Sequence, residues 1–197
     1  MIPSTMWAAL LHGIADVRLE SIPVPEPAPG EVLVRIEACG ICPTDARKYA
    51  IGLNDGDYPF NPGHEWVGRV VSAASEVEGP SPGELVYGDT YAGYAEYATI
   101  ATRPGGMSHG ALPVGDLPVE RAVFVEPLAD CLHAVHDQAQ VSEGDLVAVI
   151  GAGVTAIRAD SLEEFVHFLG ISEERQPEGV ETYSQRTVLA YIGIRIW

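Results

Sequence analysis

The stretch Glu31-Val32-Leu33-Val34-Arg35-Ile36-Glu37-Ala38-Cys39-Gly40-Ile41-Cys42-Pro43-Thr44-Asp45 changes its period halfway along. From Glu31 to Ala38 apolar and polar residues alternate, the pattern of a half-buried strand. From Cys39 to Ala50 the spacing is helical, so a strand runs into a helix with a Cys-x-x-Cys pair at the joint. Such a pair alone is ambiguous between a redox couple, half of a metal site and two small buried residues. Gly63-His64-Glu65 follows, and much later Val125-Glu126-Pro127-Leu128. Thiolate, imidazole and carboxylate together are the ligand types of a catalytic zinc that keeps one position open. A zinc ion so held lowers the pKa of a bound water or alcohol, which prepares an alcohol to lose hydride.

Around this segment the chain reads as short strands separated by turn residues. Met6–Glu20 alternates and is expected to form a hairpin turning at His12-Gly13. Pro23, Pro25, Pro27 and Pro29 exclude a ladder strand there and make Ile22–Gly30 an extended surface segment. Leu53–Gly63 is a loop, and Trp66–Ser72, Glu84–Tyr87 and Tyr94–Ile100 are expected strands. Strands this short, with Gly/Pro turns between them, point to a compact β-barrel-like domain. From Pro118 the pattern turns helical over Val119–Phe124 and Ala129–Gln140. Leu146–Ile150 is then a wholly apolar strand running into Gly151-Ala-Gly153, as at the start of a dinucleotide-binding unit. Beyond it come an expected helix from Asp160, a polar loop over Ile171–Ser184 and an apolar, β-rich Thr187–Trp197.

Composition narrows the partners. Hydrophobic residues make up 47% and charged residues 20% of 197, as in an ordinary globular protein. With 28 acidic against 11 basic residues the formal net charge is -17, which repels phosphate backbones and anionic lipid. Nucleic acid and membrane surfaces are therefore not expected partners. No apolar run reaches the roughly 20 residues that span a bilayer, and the first residues lack the basic start of a signal peptide. Three cysteines, Cys39, Cys42 and Cys131, make no disulfide framework, so a reduced, cytoplasmic setting is the expectation.

Four motifs carry a resemblance: Cys39-Gly-Ile-Cys42-Pro-Thr44-Asp45; Pro62-Gly-His64-Glu65-Trp-Val-Gly68-Arg-Val; Gly93-Tyr-Ala-Glu96-Tyr; and Phe124-Val-Glu126-Pro-Leu128-Ala. Together, over residues 6 to 153, the chain resembles the zinc-dependent medium-chain dehydrogenases, and most of all their polyol and threonine branch. The resemblance implies a mainly β fold with some α, a GroES-like barrel over 1–145, followed by the first Rossmann strand and an atypical tail over 146–197. It also implies Cys42, His64, Glu65 and Glu126 as metal residues, Thr44 as the hydroxyl that begins a proton relay, and Asp45 as the carboxylate orienting His64. Gly151 and Gly153 would approach NAD or NADP, and the substrate would be a small alcohol or polyol. Cys39 and Cys131 are expected to pack as small buried residues, and His133 and His136 to be no second metal site.

The sequence departs from the family in two places. No cysteine-rich lobe interrupts Gly83–Glu96, so one catalytic zinc and no structural zinc is expected. After Gly153 no second strand ending in an acidic residue follows, and residues 154–197 are too few for a dinucleotide domain. The expected activity, oxidation of a secondary alcohol with NAD(P), is thus set against two rivals: an inactive zinc-binding module, and a half-enzyme needing a second chain. Thr187–Trp197 would either replace the family's returning carboxyl-terminal elements or be buried in a homodimer.

Overall fold

The computed structural model describes residues 1–53, 57–103 and 110–142. The expected strand at Leu146–Ile150, Gly151, Gly153 and the whole tail lie outside them. The chain divides into two compact units, Met1–Phe124 and Val125–Trp197.

In the first unit, strands β1 (Thr5–Gly13) and β2 (Asp16–Pro23) form an antiparallel hairpin. Its turn falls two residues later than expected, at Ile14-Ala15, where Ala15 takes a positive φ of 56°. A register shift between Leu11 and Gly13 absorbs His12-Gly13 into β1, and strand pairing thereby overrides the turn preference of Gly13.

The second sheet comprises β3 (Glu31–Cys39), β4 (Trp66–Ala73), β5 (Leu85–Gly88), β6 (Tyr97–Ala101) and a two-residue β7 (Leu112–Pro113). Its order is β6-β3-β4-β5-β7, with every pairing antiparallel. The sequence pattern did not mark β7. It is short and both residues are exposed, so hydrophobic alternation leaves no trace there. β6 begins at Tyr97 rather than Tyr94, because residues 94–96 bond elsewhere. Tyr94 N–H donates to Pro62 O, Ala9 N–H donates to Tyr94 O, and Glu96 N–H donates to Trp7 O. These bonds and the Ala8–Ala95 and Leu11–Phe60 bridges stitch the hairpin to the larger sheet. The result is the mainly β architecture with a few helices that the sequence implied.

The core is Val32, Val34, Trp66, Val70, Val86, Ala98, Ile100 and Ala111. Val32 and Val34 share one face of β3, as alternation demands, yet Leu33 between them is buried as well. A central strand flanked on both sides, with the short helix α2 (Val119–Ala122) packed on β3 and β4, has no solvent face at that point. β3 and β4 set Arg35 opposite Arg69, and Glu37 bonds both guanidiniums at 2.9 and 3.2 Å, cancelling their repulsion.

Helix α1 (Pro43–Ile51) leaves β3 through Gly40-Ile41-Cys42. In the second unit, α3 (Val125–Leu132) begins four residues before the expected Ala129 and runs into a π-helical segment, His133–Gln138. Pro127 does not delay it, since a proline in the first turn gives up only an N–H that has no helical acceptor.

Gly68 on β4 lies close against β3: a Cβ there would collide with the Arg35 carbonyl oxygen and the Val34 side chain. Gly68→Ala should therefore destabilise the fold by about 1–3 kcal/mol. Gly13→Ala, with nothing within 4 Å of its Cβ, should be close to neutral. Urea unfolding midpoints of the two variants check the contrast.

Candidate metal centre

The site lies where the end of β3, the start of α1 and the loop preceding β4 converge. Gly40 N–H donates to Glu65 O at 2.7 Å, which extends the β3–β4 ladder by one rung and sets Glu65 beside the Cys39–Cys42 link. A Cβ on Gly40 would displace the Glu65 carboxylate from its present position. Cys42 is the N-cap of α1: its Sγ accepts from Thr44 N–H at 3.5 Å, and its own N–H donates to Asp45 Oδ2 at 3.2 Å. A cysteine in a position that usually holds serine or aspartate thus has its sulfur fixed by helix geometry. Pro43 at the first helical position reinforces that start.

Asp45 is buried, 5% exposed, and ties α1 to the loop before β4. Its Oδ1 accepts from Gly63 N–H at 3.1 Å, and its Oδ2 also accepts from Tyr94 OH at 3.3 Å. His64 Nδ1 faces Oδ1 at 3.8 Å, an ion-pair separation too long for a hydrogen bond. Nδ1 is buried and has no hydrogen-bond partner. Burial alone would raise the Asp45 carboxyl, but His64 and the Gly63 and Cys42 amides outweigh it and hold it below its ordinary range. Reciprocally, Asp45 first and Cys42 second hold the His64 imidazole up to about 11. The metal-free cluster therefore keeps a proton on His64, and metal uptake must displace it, which favours loading as pH rises.

Cys42, His64 and Glu65 offer one ligand atom each, all within 4.8 Å of one another. Zinc bonds of about 2.0–2.3 Å in a tetrahedron need donors somewhat closer than that, so small side-chain shifts close the set. Sulfur, imidazole nitrogen and carboxylate oxygen at these separations make a donor set that fits a zinc ion. Among the described residues this is the one group of three or more such side chains.

Thr44 is exposed in the first turn of α1, directly after Pro43 and beside the Cys42 sulfur. Glu126 occupies the first turn of α3 in the second unit. Cys39 is half-buried and packs against the core rather than being fully buried. Cβ atoms on Gly63 and Gly93 would meet its Sγ at 2.9 and 2.6 Å, its thiol donates to Gly40 O, and burial, with Asp45 adding, pushes it up to about 12. Cys131 is buried in α3. His133 and His136 are exposed and pair with Asp137 at 2.9 and 2.7 Å, a local surface arrangement. Sequence reasoning missed Tyr94, Tyr91 and Lys48. Tyr94 lay inside a quoted motif, but its bond to Asp45 spans 49 residues and leaves no local signal.

Residues 28–112 match the family model of the alcohol dehydrogenase GroES-like domain. The chain is 33% identical over 192 residues to the erythritol/L-threitol dehydrogenase of Mycolicibacterium smegmatis, covering 77% of this chain and 52% of that protein. It is 34% identical over 172 residues to the sorbitol dehydrogenase of Bos taurus, covering 73% and 48%. The solved 2R,3R-butanediol dehydrogenase of Bacillus subtilis superposes with a TM-score of 0.68 at 26% identity, covering 83% of this chain and 55% of that one. A zinc-binding dehydrogenase of Sinorhizobium meliloti, solved with NADP, gives 0.69 at 27%, covering 81% and 53%. The chain belongs to the zinc-dependent medium-chain dehydrogenases and carries their GroES-like domain. It spans about half the length of the curated relatives it matches.

Two outcomes follow from the cluster. Cys39 should resist alkylation near neutral pH, whereas Cys42 reacts in the metal-free protein and is protected by zinc; peptide mapping after iodoacetamide reads both. Asp45→Ala strips the acceptor from two backbone amides and the Tyr94 hydroxyl. It should cost about 2–4 kcal/mol in chemical unfolding.

Proposed function

We propose that this chain is the metal-bearing half of an NAD(P)-dependent oxidoreductase that oxidises a secondary alcohol or polyol. The observation that carries the reading is the convergence of Cys42, His64 and Glu65 in one cluster, with Asp45 behind His64. Cys42, His64 and Glu65 would hold the zinc, and Glu126 would add a further ligand or a carboxylate facing the open position. Bound there, zinc would act as the Lewis acid that makes an alcohol proton easy to lose.

The remaining steps belong to the chain's own side chains. Asp45, ionised and held by three donors, fixes the orientation of the imidazole and supplies the counter-charge that a metal-bound histidine needs. Thr44, exposed at the helix start beside Cys42, has a hydroxyl that can both accept and donate. It is suited to pass the substrate proton toward solvent. Gly151 and Gly153 would let the cofactor's pyrophosphate approach the backbone. The relatives whose names specify polyols and diols support the substrate class, and the NADP in the solved structure of a neighbour supports the cofactor class.

Elemental analysis tests the reading. The purified chain should hold about one zinc, retained in Cys39→Ala and lost in Cys42→Ala or His64→Ala. A wild-type chain that stays metal-free in excess zinc would sink it.

A further inference from the structure

Lys48 is the single lysine in a chain of 197 residues whose net charge is -17. It sits in the last turn of α1, where a cation suits the helix dipole, but its ammonium is turned onto Tyr91. Nζ donates to the Tyr91 hydroxyl at 2.6 Å and lies 4.6 Å from the ring centroid. Among the described residues no carboxylate pairs with it, whereas Arg18, Arg35, Arg69 and Arg103 each have one. Tyr91 packs edge-on to Phe60, 5.0 Å between centroids, and its ring lies 5.1 Å from that of His64. The ammonium is thus no farther from the imidazole than these 4.6 and 5.1 Å steps laid end to end.

The direction of the hydrogen bond sets what this pair can bind. Tyr91 oxygen accepts from Lys48, so the phenol's own proton stays free to donate, and the ammonium keeps two further N–H groups. Both therefore present donors, with one positive charge, at the edge of the metal cluster. Tyr91 is 41% exposed, so an incoming molecule can reach it. A neutral hydroxyl would satisfy these donors only singly. A carboxylate or phosphate accepts from both at once in charge-assisted bonds. In so acidic a protein, an anionic substrate also needs a local cation to approach at all.

We propose that Lys48 and Tyr91 form a specificity-determining donor pair that takes the anionic end of the substrate, a carboxylate or phosphate separated by a short carbon chain from the hydroxyl at the metal cluster. The substrate class is then a hydroxy acid or a sugar or polyol phosphate rather than a neutral polyol. This rests on the metal reading above and sharpens its substrate.

The test uses the full chain loaded with cobalt in place of zinc and titrates glycerol, glycerate and glycerol phosphate, following the cobalt visible bands. Glycerate or glycerol phosphate should bind about ten-fold or more tightly than glycerol, and which of the two wins separates carboxylate from phosphate. Lys48→Gln should erase the preference and Tyr91→Phe should reduce it, both with full metal content and unchanged circular dichroism. Because Lys48 is the only lysine, acetylation mapped by mass spectrometry gives a second reading, in which the preferred anion should protect it. Equal binding of the three ligands, binding of none, or a preference that survives Lys48→Gln overturns the proposal and leaves the metal reading standing. A chain that takes up neither zinc nor cobalt overturns the metal reading first, and this proposal with it.

Discussion

The buried carboxylate of Asp45 is the constraint on which the site depends. It accepts from the Cys42 amide in the link between β3 and α1, from the Gly63 amide before β4, and from the Tyr94 hydroxyl before β6. Three segments far apart in the chain therefore meet at one charged group that has left water. Such a group is tolerable only when its lone pairs are filled and a counter-charge is near. The amides and phenol fill them, and His64 supplies the charge. Two residues that would hold the metal, Cys42 and His64, thus also make the carboxylate's burial possible, and fold and site are coupled at this point.

Around Asp45 the packing is set by close approaches rather than by bulk. Gly63, Gly88 and Gly93 leave room for Tyr94, Trp66 and Cys39, and each would lose that contact with a Cβ in place. Trp66, 1% exposed, anchors the sheet end and donates its indole N–H to Thr90 O at 2.8 Å. This brings the 88–94 segment, and Tyr91 with it, over the cluster. Tyr91 then links the metal side chains to Lys48 through ring contacts and a hydrogen bond, so the same sheet end that presents the cluster also presents the donor pair beside it.

Much of this was legible in the sequence, and unevenly so. The β3 strand was readable from local periodicity, whereas the helix expected from Cys39 starts at Pro43, because β3 runs through Cys39 and Cys42 caps the helix. The hairpin turn, the start of β6 and the onset of α3 were misplaced by a few residues. In the first two, pairing with distant strands outweighs local turn and strand preference; in the third, the first helical turn accommodates Pro127. The choice between Cys39 and Cys42 came from resemblance, and the structure supplies its cause: Cys39 faces Gly63, Gly93 and Trp66, whereas Cys42 caps a helix with its sulfur toward the cluster.

By itself the sequence determined the class of the protein and the β-rich architecture, and it singled out Cys42, His64 and Glu65, which the fold brings together. Residue types and their order along the chain carry that information. Only the tertiary structure decided that Asp45 is shared by Cys42, Gly63 and Tyr94, and that the lone lysine stands against Tyr91 beside His64. The physical reason is the same for both. Apart from the local Cys42–Asp45 bond, these contacts join residues 18 to 49 positions apart, and no local period records which of many polar side chains a folded sheet will bring together.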